Sequence, residues 1–234
     1  MKTIFFAYHL FYLTVVNSQS TCDDISFVDR AEWGARKPIL KANLPSKSLP
    51  FYVIHHSADS SNCYDDASCT KRVQQIQYRH QYGLQWFDIG YHFLIGENGK
   101  VYEGRGWNHQ AAHSRGWNND AYGICIIGDF RKASPNEKAL NALRSLVDCG
   151  VKQGYVKEDY YIITHRQTQP PGYTECPGNG TLDVVSKWPR YCSFQNSRVP
   201  LKANETQIYL ALNFCEKEFS TSSLATAYLD APSF

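Results

Sequence analysis

The stretch FYVIHHSA (51–58) begins as a short apolar run of the kind that forms a buried β-strand, and it ends in two histidines. A second run, VKEDYYIITH (156–165), has the same form and also ends in a histidine. A Pro/Gly-rich loop then separates His165 from Cys176. If the two strands are neighbours in one sheet, His55, His165 and Cys176 converge at one edge of it.

This trio has the chemistry of a zinc site. Two imidazoles and a thiolate suit Zn²⁺, and three protein ligands leave the fourth position open for water. Zinc lowers the pKa of a water bound there to about 7. Spacing alone leaves another interpretation open. A histidine at a strand end is more often a surface or hydrogen-bonding residue, Cys176 could pair with another cysteine, and no compact motif such as His-Glu-x-x-His is present.

Helices and strands alternate along the chain. Residues 69–83 place Val73, Ile76 and His80 on one helical face ahead of a terminating glycine. Residues 91–95, a turn at 97–100 and a returning strand predict a β-hairpin.

A further strand is predicted over residues 121–130. The run Ser134-Pro135-Asn136-Glu137 has the form of a capping box with proline at the first helical position. The apolar stripe of the following helix is Leu140, Leu143, Leu146 and Val147. The alternation favours an α/β or α+β fold with one central mixed β-sheet flanked by helices.

Composition narrows the class of protein. Of 234 residues, 43% are hydrophobic and 20% are charged, which predicts a packed core. The formal net charge of +2 and the absence of a long basic run argue against nucleic acid as a partner. The part from about residue 193 to residue 234 differs in character and is predicted to be a C-terminal extension with a helix near 206–214.

Residues 1–18 have one lysine followed by an apolar stretch, which predicts a signal peptide too short to span a membrane. No later segment approaches a membrane span, so we expect an exported, soluble protein. Asn179 and Asn204 each begin a glycosylation tripeptide.

Eight cysteines in an exported protein should mostly be paired. Cys125 is left as a buried free thiol, and Cys176 remains for another role. Three pairings are plausible from position along the chain: Cys63 with Cys69, Cys22 with Cys149, and Cys192 with Cys215.

An ordered set of motifs resembles the peptidoglycan recognition proteins, which share a fold with bacteriophage-type N-acetylmuramoyl-L-alanine amidases. The set spans residues 22–192 and predicts a single recognition and amidase domain there. The motifs are AEWGAR (31–36), VIHHSA (53–58), the small cysteine ring, DIGYHFLIGENGKVYEGRGWN (88–108), AAHSRGWNNDAYGICIIGDF (111–130), DCGVKQG, ITHRQ (163–167) and ECPG (175–178).

The resemblance implies that the zinc ligands are His55, His165 and Cys176 and that Tyr91 is the catalytic tyrosine. Thr174 falls where the phage enzymes have lysine. Members that only recognise peptidoglycan typically replace the cysteine. The resemblance therefore implies a secreted zinc amidase that cuts peptidoglycan in innate immunity. The alternatives are a non-catalytic recognition receptor and, with less support from the low charge, an antibacterial effector that kills without hydrolysis.

The resemblance also implies a groove that binds peptidoglycan. Arg105 could pair with the extra carboxylate of diaminopimelate, which favours that type of stem peptide, although Gln85 replaces a glycine often found beside Trp86. The alternative is that Arg105 is a turn residue and the tryptophans belong to the core. The matching positions are His56, His80, Trp86, Arg105, Trp107, His113 and Asn118.

One departure from the family pattern concerns the loop between His165 and Cys176. It is about three residues longer than usual, around residues 170–172. We expect this insertion to bulge outward if the metal site is kept.

Overall fold

A computed structural model describes residues 22–59, 61–196 and 206–229, with side chains to residue 221. The predicted signal peptide (1–18) and Asn204 lie outside the described residues. Asn179 is exposed at the first residue of a helix, whereas Thr181 of the same tripeptide is fully buried.

The described residues form one six-stranded sheet in the order β1-β4-β3-β5-β2-β6. Only the hairpin pair β3 and β4 is antiparallel; the other neighbours are parallel, so the predicted mixed sheet is confirmed. The strands are β1 (Phe27–Val28), β2 (Leu49–His56), β3 (Phe93–Ile95), β4 (Val101–Glu103), β5 (Ala121–Ile126) and β6 (Val156–Thr164).

Five α-helices accompany the sheet in the described part of the chain. None of them combines the length and the apolarity that a membrane crossing needs. They are α1 (Asp66–Tyr78), α2 (Glu137–Lys152), α3 (His165–Thr168), α4 (Asn179–Val185) and α5 (Gln207–Leu229).

The alternation of side chains along β2 divides the core. Tyr52 and Ile54 point to the side covered by α2, where the predicted stripe of that helix is buried. Phe51 and Val53 point to the other side, and His55 continues their row. His55 therefore lies on the side of the sheet away from α2.

Helix α1 ends in a way that brings His80 inward. Its first turn is capped by Asp65, whose side chain accepts the backbone N–H of Ser68 at 2.8 Å. Beyond Tyr78 the chain widens into a π-helical turn, Arg79–Gly83, in which the N–H of Leu84 bonds to the carbonyl of Arg79. Such turns are frequent at functional sites, and this one buries His80.

The start of α2 differs from the sequence prediction. Asn136 is the N-cap, accepting the N–H of Ala139 at 2.9 Å, so Pro135 precedes the helix and the predicted capping box is wrong. The Ser134 hydroxyl donates to the carbonyl of Gly180 in α4. Ser134, which the local sequence pattern assigned to the N-cap of α2, thus makes a tertiary contact instead.

Three disulfides join the cysteine pairs suggested by the sequence, and Cys125 and Cys176 are the free cysteines, both buried. The pairs are Cys22–Cys149, Cys63–Cys69 and Cys192–Cys215. The last pair ties α5 to the segment that follows α4.

The C-terminal helix begins where expected but is longer than the predicted 206–214, since it continues to Leu229. Ala211 and Cys215 of α5 are fully buried in a cluster with Phe51, Trp117 and Tyr161. Helix α5 thus covers one part of the sheet.

Candidate metal centre and adjoining groove

Three donor side chains meet where β2 and β6 end. Ile54 pairs with Thr164 in the parallel ladder, so His55 and His165 follow side by side, with ring centroids 4.5 Å apart. Cys176 reaches the same point, and the donor atoms of all three lie within 4.8 Å of one another. The convergence expected from the sequence is present.

The spacing fits a tetrahedral metal ion. Zinc bonds nitrogen at about 2.0–2.1 Å and sulfur at about 2.3 Å, which puts these ligands about 3.6 Å apart in a tetrahedral site. Nδ1 of His55 lies 3.7 Å from Sγ of Cys176. Because the donor types also suit zinc and three protein ligands leave one position for water, these residues could hold such an ion.

Burial keeps the two imidazoles neutral and able to bind a cation. It lowers the pKa of His165 to about 4 and that of His55 well below its ordinary value. Burial also raises the pKa of the Cys176 thiol to about 12, although the backbone N–H of His56, 3.3 Å from Sγ, favours the thiolate. A divalent cation would supply the positive charge that a thiolate here needs.

The long loop between His165 and Cys176 bulges away from the centre. Its tip turns between Pro170 and Tyr173, whose N–H bonds to the Pro170 carbonyl at 3.0 Å, and Tyr173 is 70% exposed. At its base the N–H of Arg166 donates to the carbonyl of Cys176 at 2.9 Å. The additional residues therefore do not displace the donors.

Gly178 lets the chain after Cys176 pass close to the backbone of Phe130. Its φ is +85°, and a Cβ at this position would lie 2.3 Å from the backbone of Phe130. Any other residue would push the segment after Cys176 away from the end of β5.

His165 is fixed mainly through the short helix α3 that it begins. Gln167 accepts both the backbone N–H and the hydroxyl of Thr164 at 2.8 Å, and its amide donates to the carbonyls of Cys192 and Phe194. The last two bonds join α3 to the segment that follows α4.

His113 contacts the other side of the His55 ring. Nε2 of His55 lies 3.0 Å from Nδ1 of His113, and Nε2 of His113 lies 3.1 Å from the Ala121 carbonyl oxygen. Burial lowers the pKa of His113 to about 3, so its ring is neutral. The side-chain oxygen of Asn118 accepts the backbone N–H groups of His113 and Ser114. Neither His113 nor Asn118 belongs to the described groove lining.

A groove of about 560 Å³ opens next to the donors, a size typical of small-ligand sites. His56 and His80 line it, as predicted, and burial lowers the pKa of each to about 4. Nδ1 of each ring accepts a backbone N–H, from Phe130 and Gly90 respectively. Each neutral ring therefore carries its proton on Nε2 and offers a donor there.

Tyr91 and Thr174 also line the groove. The ring of Tyr91 lies 5.3 Å from that of His55, and burial together with the neighbouring thiols of Cys125 and Cys176 raises the pKa of its hydroxyl. The hydroxyl thus keeps its proton and can donate. Thr174 Oγ1 accepts the backbone N–H of Cys176 at 3.1 Å.

The remaining predicted groove residues lie elsewhere. The Trp86 ring lies 4.7 Å from that of His80 but does not belong to the described groove lining. Arg105 lines a separate cavity, and three of its N–H groups donate to backbone carbonyls. Trp107 is stacked on Tyr155 among core aromatics of the α2 side, so the structure does not bring it to the groove.

Three arginines of the groove wall were not anticipated, and one of them, Arg131, follows β5. Arg72 and Arg79 line it from the α1 side, together with Ile76 and His80. Arg72 and Arg79 are seven residues apart, which is two helical turns, so extending the predicted face of Val73, Ile76 and His80 would have found these two.

The sequence profile of the N-acetylmuramoyl-L-alanine amidase family matches residues 45–179, which include all three donors and Tyr91. Peptidoglycan recognition protein 1 of Bos taurus is 39% identical over 167 residues, which make up 71% of this chain and 85% of the bovine protein. The chain belongs to the peptidoglycan recognition protein family.

Solved peptidoglycan recognition proteins share its fold. Wild-type Drosophila PGRP-LB is 36% identical, with a TM-score of 0.69 over 73% of this chain and 98% of that one. Peptidoglycan recognition protein-LE in complex with tracheal cytotoxin, a monomeric diaminopimelic acid-type peptidoglycan, is 34% identical, with a TM-score of 0.68 over 71% and 95%. The sheet and its flanking helices are therefore those of the peptidoglycan recognition protein family.

Proposed function

We propose that this peptidoglycan recognition protein is a secreted, zinc-dependent N-acetylmuramoyl-L-alanine amidase that acts in innate immunity. It would hydrolyse the lactyl-amide bond between muramic acid and L-alanine of bacterial peptidoglycan. Residues 22–192 would form the domain that does this, with 193–234 as an extension. The zinc ligands would be His55, His165 and Cys176.

The observation that carries the proposal is the complete donor set beside an accessible groove. Two neutral imidazoles and one buried free thiol lie at distances that suit tetrahedral zinc, and Tyr91 borders them. A protein that only binds wall fragments has no need of a buried thiol among histidines.

The chemistry divides between the metal and the chain. Zinc, when bound, supplies a Lewis acid that polarises the scissile carbonyl and activates a water for attack. Tyr91 donates a hydrogen bond to the carbonyl oxygen as that oxygen gains negative charge. Thr174 accepts the N–H of Cys176 and so holds the backbone that carries the thiolate. The products are the muramic lactyl carboxylate and the free amine of L-alanine.

The groove would bind the sugar and the stem peptide. His56 and His80 offer Nε2–H donors that suit carbonyl oxygens. The complex of protein-LE with tracheal cytotoxin supports a substrate of the diaminopimelate type. Arg105 lines a separate cavity, so pairing of its two remaining N–H groups with the extra carboxylate would require the stem peptide to extend from the groove to that cavity.

The test is the release of stem peptides with free N-terminal L-alanine from peptidoglycan, measured by mass spectrometry. We expect release by the zinc-loaded protein, its loss with a chelator, and recovery when zinc is returned. Cys176→Ser should abolish zinc binding and release, while binding to insoluble peptidoglycan persists because the groove remains.

Cys125→Ser is the matched control, since it removes the other buried free thiol and should leave zinc binding intact. Absence of release by zinc-loaded wild-type protein that still binds peptidoglycan would contradict the amidase proposal and leave a recognition receptor. Equal zinc binding by Cys176→Ser and wild type would contradict the ligand assignment.

A further inference from the structure

His113 is a buried histidine that is not one of the three candidate metal ligands. It comes from the loop before β5, and its ring meets that of His55 edge to face with centroids 5.1 Å apart. Both of its ring nitrogens have partners inside the protein, His55 and the carbonyl of Ala121. It has no free nitrogen to offer a substrate.

These two contacts determine where the protons lie. The oxygen of Ala121 can only accept, so Nε2 of His113 carries the hydrogen of this neutral ring. Its Nδ1 is then an acceptor, and Nε2 of His55 must donate to it. In a neutral imidazole the second nitrogen is unprotonated, so Nδ1 of His55 presents a lone pair. That atom lies 3.7 Å from Sγ of Cys176.

The site around His113 is built to hold a ring in this orientation. Asn118 accepts two consecutive backbone N–H groups, at 3.0 Å from His113 and 2.9 Å from Ser114. The ring lies against the backbone of Gly123 in β5, where a Cβ would come within 2.3 Å of its Cγ. Because any side chain at position 123 would displace the ring, this glycine is required for the contact.

We propose that His113 is a positioning residue that fixes the tautomer and the orientation of His55, so that Nδ1 of His55 faces the metal. This rests on the proposed function, because it assigns His113 a role toward the zinc of that centre. It replaces the substrate contact that family resemblance implies for His113. Partners that orient a ligand histidine in this way typically change metal affinity 10- to 100-fold when they are removed.

The first experiment measures zinc affinity of the full chain by competition with a chromophoric chelator. His113→Leu, which removes both hydrogen bonds, should weaken zinc binding about 10- to 100-fold. His113→Asn keeps an acceptor close to the position of Nδ1 and should stay within a few-fold of wild type. His109→Leu removes a histidine from the surface and serves as the control.

A second experiment needs no zinc. Long-range ¹H–¹⁵N spectra of the metal-free protein at neutral pH should show His55 protonated on Nε2 and His113 on Nε2. In His113→Leu the His55 signals should change to a mixture of both tautomers, and in His113→Asn they should resemble wild type.

Two results would overturn the proposal. One is His55 protonated on Nδ1 in the wild-type spectrum. The other is unchanged zinc affinity in a folded His113→Leu, and a loss of muropeptide binding in that variant would then identify His113 as a substrate contact. A wild type that binds no zinc would instead refute the proposed function, while the spectra would still decide whether His113 sets the tautomer of His55.

Discussion

His55 at the end of β2 and His165 immediately after β6 stand side by side, but the protein holds them by different means. The ring of His55 is held by another ring, which a backbone carbonyl orients in turn. For the ring of His165 no hydrogen bond is found among the described residues. Its position comes from the backbone of α3, where Gln167 makes four hydrogen bonds.

The difference separates two ways of orienting the candidate metal ligands. At the β2 end, orientation is set at the side chain itself, so a change there should alter metal affinity more than fold stability. At the β6 end, orientation follows from the fold, which includes the segment after α4 through the carbonyls of Cys192 and Phe194. A change there should alter stability first.

The largest effect is expected at the β6 end. Gln167→Leu leaves the buried partners of four hydrogen bonds unsatisfied and should lower the free energy of unfolding by about 3–4 kcal/mol. Urea unfolding of the full chain measures this. Gln75→Leu, on the exposed face of α1, is the control and should change stability by about 0.5 kcal/mol or less.

Zinc affinity measured on the same variant tests the comparison directly. If Gln167→Leu kept wild-type stability but lost zinc as strongly as His113→Leu does, the two ends would not differ in the way described.

A smaller effect is expected from Tyr91→Phe, which tests whether turnover at the β2 end can change without a change in zinc affinity. Removing the hydroxyl should lower turnover about 100-fold, or about 2.7 kcal/mol, because one donor to the developing oxyanion is lost. Zinc affinity should stay at the wild-type value, since Tyr91 is not one of the three donors. Turnover on a soluble muropeptide and zinc content are the measurements, and unchanged turnover would remove Tyr91 from the mechanism.

The smallest effect concerns a residue that belongs to neither strand end. Gln85 has a φ of +57°, a conformation that costs a residue with a side chain about 1–2 kcal/mol. Gln85→Gly should therefore raise the free energy of unfolding by about 1 kcal/mol with no change in zinc affinity. A fall in stability would mean that the Gln85 side chain contributes more than the strain costs.

Much of the centre was predictable from sequence because its information is local. Apolar runs that end in histidine predicted the strands, and neighbouring parallel strands bring their ends together. The three suggested disulfide pairs left Cys125 and Cys176 unpaired, and the order of the family motifs predicted that Cys176 is a zinc ligand. The outward bulge of the long loop followed from the need to keep Cys176 within reach of His55 and His165.

The contacts made across the chain were not predictable in this way. Tryptophan and histidine are residue types that suit a sugar-binding groove. The fold instead packs Trp107 in the core on the α2 side and places His113 against the ring of His55. Nor does a local pattern show that Ser134 bonds to α4 and leaves the cap of α2 to Asn136. Each outcome depends on a partner at least 30 residues away or on the opposite side of a strand.

The sequence by itself predicted the type of fold from strand and helix periodicity, and its ordered family motifs predicted the three candidate donors. Only the tertiary structure decided which groups contact the ring of His55 and which parts of the chain support His165. A tautomer depends on the acceptor that lies within about 3 Å, and the fold alone brings that acceptor into place.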